Sequence, residues 1–147
     1  MRLPTEAEWE YTAKGGIYWK DNYKYAGCNT EKELDDFAWF FDNVCTPEAL
    51  NSRSFGTKPV GTKKHNQLGI YDLSGNVWEW CEDAYDKDFY EKTRGAKNPV
   101  NKNIGSYRVL RGGSWFYYPV NCRVAFRFFN TPSNRNRSLG FRLVISF

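Results

Sequence analysis

Four cysteines, a single histidine and a C-terminal run of arginine and aromatic side chains are the residues here from which chemistry would be expected. Cys28, Cys45, Cys81 and Cys122 stand 17, 36 and 41 positions apart, with no CxxC pair. That spacing argues against a compact zinc knuckle and against a thioredoxin-like redox motif. Free, buried thiols are the expectation; disulfides stay open as the alternative, and the redox compartment with them. With His65 alone, a multi-histidine metal site within the chain is excluded. The aromatics (6 Trp, 10 Tyr and 11 Phe) make up 18% of the chain and are spread over turn-rich sequence rather than helical stripes. Such rings cover a core built of loops or face a ligand. The net charge of +4 divides unevenly. Residues 116–147 hold Arg123, Arg127, Arg135, Arg137 and Arg142 but no Lys, Asp or Glu, which leaves −1 for residues 1–115. Arginines interleaved with aromatics can stack bases and hold phosphate. No lysine accompanies these and the rest of the chain is near neutral, so no nucleic-acid partner is expected.

The elements that must position these residues follow from local signals. At 147 residues, 41% hydrophobic and 26% charged, the chain reads as one globular domain with a core of its own. No apolar run approaches the roughly 20 residues of a membrane span, and no secretory signal follows Met1, so this stretch carries no address. Thr5 and Glu8 form a capping-box signature for a helix running to about Lys14, ended by Gly15-Gly16. Trp9 and Ala13, at i and i+4, are its buried face. From 16 to 62 the dense Gly, Asn and Pro punctuation predicts loop with short strands, held by aromatic anchors at 37–41. A Ser74-Gly75-Asn76 turn precedes a strand at 77–81, which Glu82 and Asp83 end in an acidic loop. Residues 86–103 read as a solvated connection. Further strands are predicted at 107–111, 123–127 and 140–145, the last two joined by a polar arc rich in Asn, Ser and Arg. No internal repeat is present.

Arg2-Leu3-Pro4-Thr5-Glu6-Ala7-Glu8-Trp9-Glu10, Pro59-Val60-Gly61, the run from Gly69 through Ser74-Gly75-Asn76-Val77 to Trp80, Arg111-Gly112-Gly113-Ser114-Trp115 and Gly140-Phe141-Arg142 form an ordered set. In that order and spacing the chain resembles the sulfatase-modifying-factor family, also called the formylglycine-generating-enzyme domain, over nearly its whole length. The resemblance implies a C-type-lectin-like α+β fold with little regular secondary structure. It also implies a small twisted antiparallel sheet and a C-terminal strand returning beside the start of the chain. Members carry further strands before the first motif, so residues 1–147 are expected to be the C-terminal part of a single domain. In the family a calcium ion commonly sits at the 69–80 motif. Carried over, its ligands are Asp72, Gly75, Val77 and Glu79, an oxygen-only set of the kind Ca²⁺ prefers. The alternative is that Asp72 caps the turn and Glu79 pairs with an arginine. Catalytic members convert a sulfatase cysteine to formylglycine, using two cysteines after the Gly-Gly-Ser-aromatic motif to hold copper, whose Cu(I) form suits thiolates. Here the first position is Tyr117 and the second is matched only by Cys122, so no catalytic residue is assigned and no copper is expected.

Residues 116–139 contain no Lys, Glu, Gln, Met, Trp or Asp, and the first five of these cannot be encoded by a codon ending in C. Phe, Tyr, Val, Ser, Thr, Leu, Arg and Asn all can, each reachable from AAC by changing only its adenines. In this the segment resembles the variable region of bacterial or phage proteins diversified by a mutagenic retroelement, a group similar to the same domain family. The resemblance implies a non-catalytic ligand-binding protein of receptor or adhesion type, with 116–139 as its variable segment. Trp78, Trp80 and Trp115 would anchor a rigid scaffold beneath it. The candidate contact residues are Phe116, Tyr117, Tyr118, Val120, Asn121, Phe126, Phe128, Phe129 and Asn130, because aromatic side chains are frequent interface anchors. Core packing is the alternative for the phenylalanines. The expectation is a monomer without a transmembrane segment, binding an unknown protein or small ligand at the cell surface or after secretion. A formylglycine-generating oxidoreductase is the competing reading.

Overall fold

The computed structural model describes residues 1–103 and 105–145, without the side chains of residues 19–21. Thr5 caps α1 (Glu6–Ala13) with the capping box that the sequence predicts. Its hydroxyl accepts from the Glu8 N–H at 3.1 Å, and the Glu8 carboxylate accepts from the Thr5 N–H at 2.8 Å. Arg2 donates two bonds of 2.7 Å to that carboxylate and holds it down to about 2. Trp9 and Ala13 are buried, as their spacing requires.

A four-stranded sheet in the order β3-β2-β1-β4 carries the rest. Its strands are β1 (Trp78–Ala84), β2 (Arg108–Arg111), β3 (Arg127–Asn130) and β4 (Leu139–Gly140). β1 with β2 and β2 with β3 are antiparallel, placing Leu110 opposite both Trp80 and Phe128. β4 runs parallel to β1, so the sheet is mixed rather than wholly antiparallel. A bridge between Arg2 and Val144 brings the end of the chain beside its beginning.

Several local expectations are corrected. The stretch expected to form short strands holds a 3-10 helix (Gly16–Asp21) and three short α-helices, α2 (Glu31–Phe37), α3 (Phe41–Val44) and α4 (Pro47–Ser52). A further helix, α5 (Phe89–Lys92), lies within the solvated connection. β1 continues through Glu82 and Asp83 because both find partners inside the fold. The Glu82 N–H donates to the Pro4 carbonyl at 2.9 Å, and the buried Asp83 carboxylate takes the N–H groups of Glu6 at 2.7 Å and Asn101 at 2.8 Å. The third strand lies at 127–130 instead of 123–127, since the preceding backbone curls around Arg111. That guanidinium donates to the carbonyls of Val124 at 2.6 Å and Phe126 at 2.9 Å. At the C-terminus, among the described residues, only Leu139–Gly140 and the Val144 bridge pair as strand.

Three hydrophobic clusters make the core. One joins Trp9 and Ala13 to Leu73, Cys81, Val109 and Val124; a second gathers Tyr25, Cys28, Leu34, Ala38, Phe40 and Cys122; a third holds Val44, Cys45 and Trp115. Between α1 and the sheet lies a buried ion network. Arg111, fully buried, meets Glu6 at 3.0 Å and also Glu10, while Arg127 donates to both Glu6 oxygens at 2.7 and 2.8 Å. Desolvated charges of this kind hold only when every one is paired, and here each cation has its carboxylate.

Candidate functional site

The backbone of the C-terminal segment is tied to the scaffold at short intervals. The Trp115 N–H donates to the Asn76 carbonyl at 2.9 Å, the Phe41 N–H to Tyr117 at 2.9 Å, and the Ser74 hydroxyl to Cys122 at 2.8 Å. The Val124 N–H reaches the Lys24 carbonyl at 2.9 Å, and the β3 ladder follows. Pro119 and Cys122 turn inward within a 3-10 turn (Pro119–Cys122), whereas Phe116, Tyr118 and Val120 are each at least half exposed, at 55%, 55% and 50%. Alternation of inward and outward residues on a pinned backbone presents side chains without making the fold depend on them.

The nine candidate residues all reach the surface in whole or part, and they fall into separate groups. Tyr117, Phe126 and Phe128 surround the buried Trp78, with ring centroids at 5.2, 5.9 and 5.1 Å. Phe116 and Tyr118 lean on Phe41 at 5.9 and 4.9 Å. Phe129 contacts Tyr85 at 4.3 Å and Tyr107 at 5.0 Å, on the other side of β3 from the Trp78 group, as strand alternation dictates. Val120 is open to solvent, and Asn121 is half-buried beside it. Asn130 holds the next loop: its side-chain oxygen accepts from the Thr131 N–H at 2.8 Å and from Asn134 at 2.9 Å.

The polar arc that follows β3 supplies residues that sequence reasoning missed. Trp115 donates its indole N–H to the Arg137 carbonyl at 3.1 Å and the Trp78 N–H donates to Ser138 at 2.8 Å, so the arc stands up between two grooves. One, of about 610 Å³, is walled by Leu3, Trp80, Arg108, Arg135, Asn136 and Phe141 among others. The other, of about 540 Å³, is walled by Phe41, Leu50, Phe55, Trp115, Phe116 and Arg137, with Asn136 common to both. The acid-free composition of the arc was the available signal; the grooves depend on tertiary pairings that composition does not carry.

Charge on this face is unevenly satisfied. Arg127 is bound to Glu6 and Arg142 to Glu79, at 2.7 and 2.6 Å. Arg123 donates to the Val120 carbonyl, Arg135 to those of Pro132 and Asn134, and Arg137 lies over the Trp115 ring at 6.0 Å. Among the described residues none of these last three meets a carboxylate.

The thiols are free and buried. Burial pushes Cys122 and Cys28 each up to about 12. A thiol so placed is protonated at neutral pH, whereas the thiolate is the nucleophile and metal ligand. Of the four residues carried over to calcium, the two carboxylates have partners within the protein. Arg142 donates to both Glu79 oxygens at 2.6 Å, Trp9 donates to one of them at 2.6 Å, and Asp72 accepts from the Gly61 N–H at 2.7 Å. Glu79 thus pairs with an arginine and Asp72 holds the turn, the arrangement that the alternative reading of these two residues expects.

A mixed α+β domain with a small curled sheet, whose C-terminal segment carries a pinned aromatic face, is the class these features define. The family model described as the sulfatase-modifying factor enzyme 1-like domain matches residues 1–147, and the chain belongs to that family. It is 38% identical over 152 residues to the formylglycine-generating enzyme of Streptomyces coelicolor, a match covering 96% of this chain and 45% of that protein. It is 39% identical over 142 residues to the serine/threonine-protein kinase Pkn1 of Chlamydia trachomatis, covering 96% of this chain and 20% of the kinase. Among solved structures, Treponema denticola variable protein 1 superposes with a TM-score of 0.76 at 39% identity, covering 95% of this chain and 45% of that one. The chain thus spans less than half the length of these relatives.

Proposed function

We propose that the protein binds a ligand without catalysing its conversion, using residues 116–139 as a display face on the family scaffold. The observation that carries the reading is the pinned backbone from Trp115 to Asn130, with Phe116, Tyr118 and Val120 pointing into solvent. Its likeness to Treponema denticola variable protein 1 supports it. The relatives named formylglycine-generating enzymes favour oxidation as the second reading. Against that reading, Tyr117 stands at the first cysteine position, and the Cys122 thiol is buried and raised to about 12.

Two measurements test the proposal. The triple variant Phe116→Ser, Tyr118→Ser, Val120→Ser is expected to melt within about 6 °C of the parent, since exposed substitutions each cost no more than about 0.5 kcal/mol. Trp78→Ala, by contrast, is expected to lose about 3–5 kcal/mol. Incubation of the protein with copper and a sulfatase-type cysteine peptide is expected to yield no formylglycine. An unfolded triple variant, or formylglycine in the second assay, overturns the reading.

A further inference from the structure

We propose that this face takes an acidic peptide bearing a large apolar side chain, which enters the groove beside Trp115 while a neighbouring carboxylate pairs with Arg137. The proposal rests on the reading of residues 116–139 as a ligand-binding face and names the ligand chemistry that face selects. Phe41, Leu50, Phe55, Trp115 and Phe116 make the groove apolar, and among the described residues Arg137 is the one charged residue lining it. At about 540 Å³ it has the size of a ligand pocket, large enough for an aromatic side chain with flanking peptide.

Arg137 is set to pair with a partner from outside. It lies over the Trp115 ring, a stacking that orients the guanidinium while leaving its N–H donors free. Its carbonyl is held by the Trp115 indole, so the residue is anchored at its backbone and open at its head. The contrast with Arg127 and Arg142 decides the matter, because both of those already spend their donors on buried carboxylates. No acid occurs in 116–139, so a carboxylate arriving there meets no like charge from that segment. The exposed Asp42 of α3 and Glu48 of α4 lie outside the groove lining. Glu82 does line the neighbouring groove, which makes the one beside Trp115 the better match for an anion.

An extended ligand fits better than a small molecule. Arg135 stands on the far side of Asn136, which walls both grooves, and Phe116 and Tyr118 continue the apolar surface along the segment. A peptide crossing the arc meets Arg137 beside its apolar residue and Arg135 beyond Asn136.

The test is to pan a phage-displayed library of random peptides against the whole chain and then titrate enriched peptides by fluorescence anisotropy. Sequences that place Asp or Glu beside an aromatic or large aliphatic residue are expected. Their binding should weaken about tenfold or more with Arg137→Gln, recover in part with Arg137→Lys, and fall as salt is raised. Phe116→Ala should weaken it as well; both positions are exposed, so these variants fold. Peptides without an acidic bias, no enrichment at all, or binding indifferent to Arg137→Gln overturns the ligand assignment. The face is judged separately. Peptides of any composition that lose binding with Tyr117→Ala or Phe128→Ala at an unchanged melting temperature keep the binding-face reading, whereas peptides indifferent to all these changes remove that reading and the proposal together.

Discussion

The Glu79 carboxylate is 4% exposed and takes three charge-assisted or indole bonds of 2.6 Å from Arg142 and Trp9. Those donors compete with any cation for the Glu79 lone pairs, and the guanidinium sets positive charge beside them. Asp72, with a backbone φ of 59°, uses its carboxylate to close the turn on Gly61. Adding Ca²⁺ to chelated protein is therefore expected to leave the melting temperature unchanged. Arg142→Ala is expected to cost about 2–3 kcal/mol in urea unfolding, less than a wholly buried pair because Arg142 is a quarter exposed. A rise of several degrees with Ca²⁺ would mean that Arg142 yields its place. Both readings of Glu79 were open in the sequence, which shows spacing around a turn. The Arg142 pairing depends on a partner 63 positions away.

The turn entering β1 shows why its motif takes the form Ser-Gly-Asn. Gly75 has φ 78°, and a Cβ there would collide with the Trp39 carbonyl. The segment cannot move aside, because Asn76 donates to that carbonyl at 2.7 Å and Gly75 donates to Gly112 at 2.7 Å. Gly75→Ala is expected to lose more than about 3 kcal/mol or fail to fold, combining left-handed strain with a backbone clash. Gly61→Ala, also at positive φ but in open space, should cost only about 1–2 kcal/mol in the same thermal melts. Equal losses would remove the clash from the account. Elements fixed by neighbours in sequence were legible in the same way: the Thr5–Glu8 box and the buried Trp9 and Ala13 stand where they were expected. α2, α3 and α4 were not, although Thr30 and Thr46 cap two of them. At four to seven residues they are too short for a 3.6-residue period and exist through tertiary contacts. β3 was misplaced because Arg111 claims the carbonyls of Val124 and Phe126. For the binding face, ring chemistry was readable while the grooves were not, since Trp115 finds Arg137 22 positions on.

Across the whole molecule the uneven charge of the sequence becomes a set of long-range ties. Arg127 reaches back to Glu6 in α1 and Arg142 to Glu79 in β1, stitching the arginine-rich end to the first helix and to a central strand. The same scaffold, at 38% and 39% identity, occurs in proteins named as a formylglycine-generating enzyme and as a protein kinase, so its packing is separable from any one activity. That packing divides into three clusters, each holding at least one cysteine, which makes thiol reactivity a reporter of how each part opens. Cys81 and Cys122 are enclosed, at 1% and 0% exposure, and burial raises both thiols. Cys45, at 7%, borders the groove beside Trp115. Alkylation of native protein, followed by mass spectrometry, should therefore modify Cys45 first. Cys81 and Cys122 should be modified no faster than the molecule unfolds, and all four thiols should become reactive in denaturant. Early modification of Cys122 would mean that the Pro119–Cys122 turn opens on its own. The face it supports would then be a mobile loop rather than a pinned display, and the basis for reading residues 116–130 as a preformed binding surface would be lost.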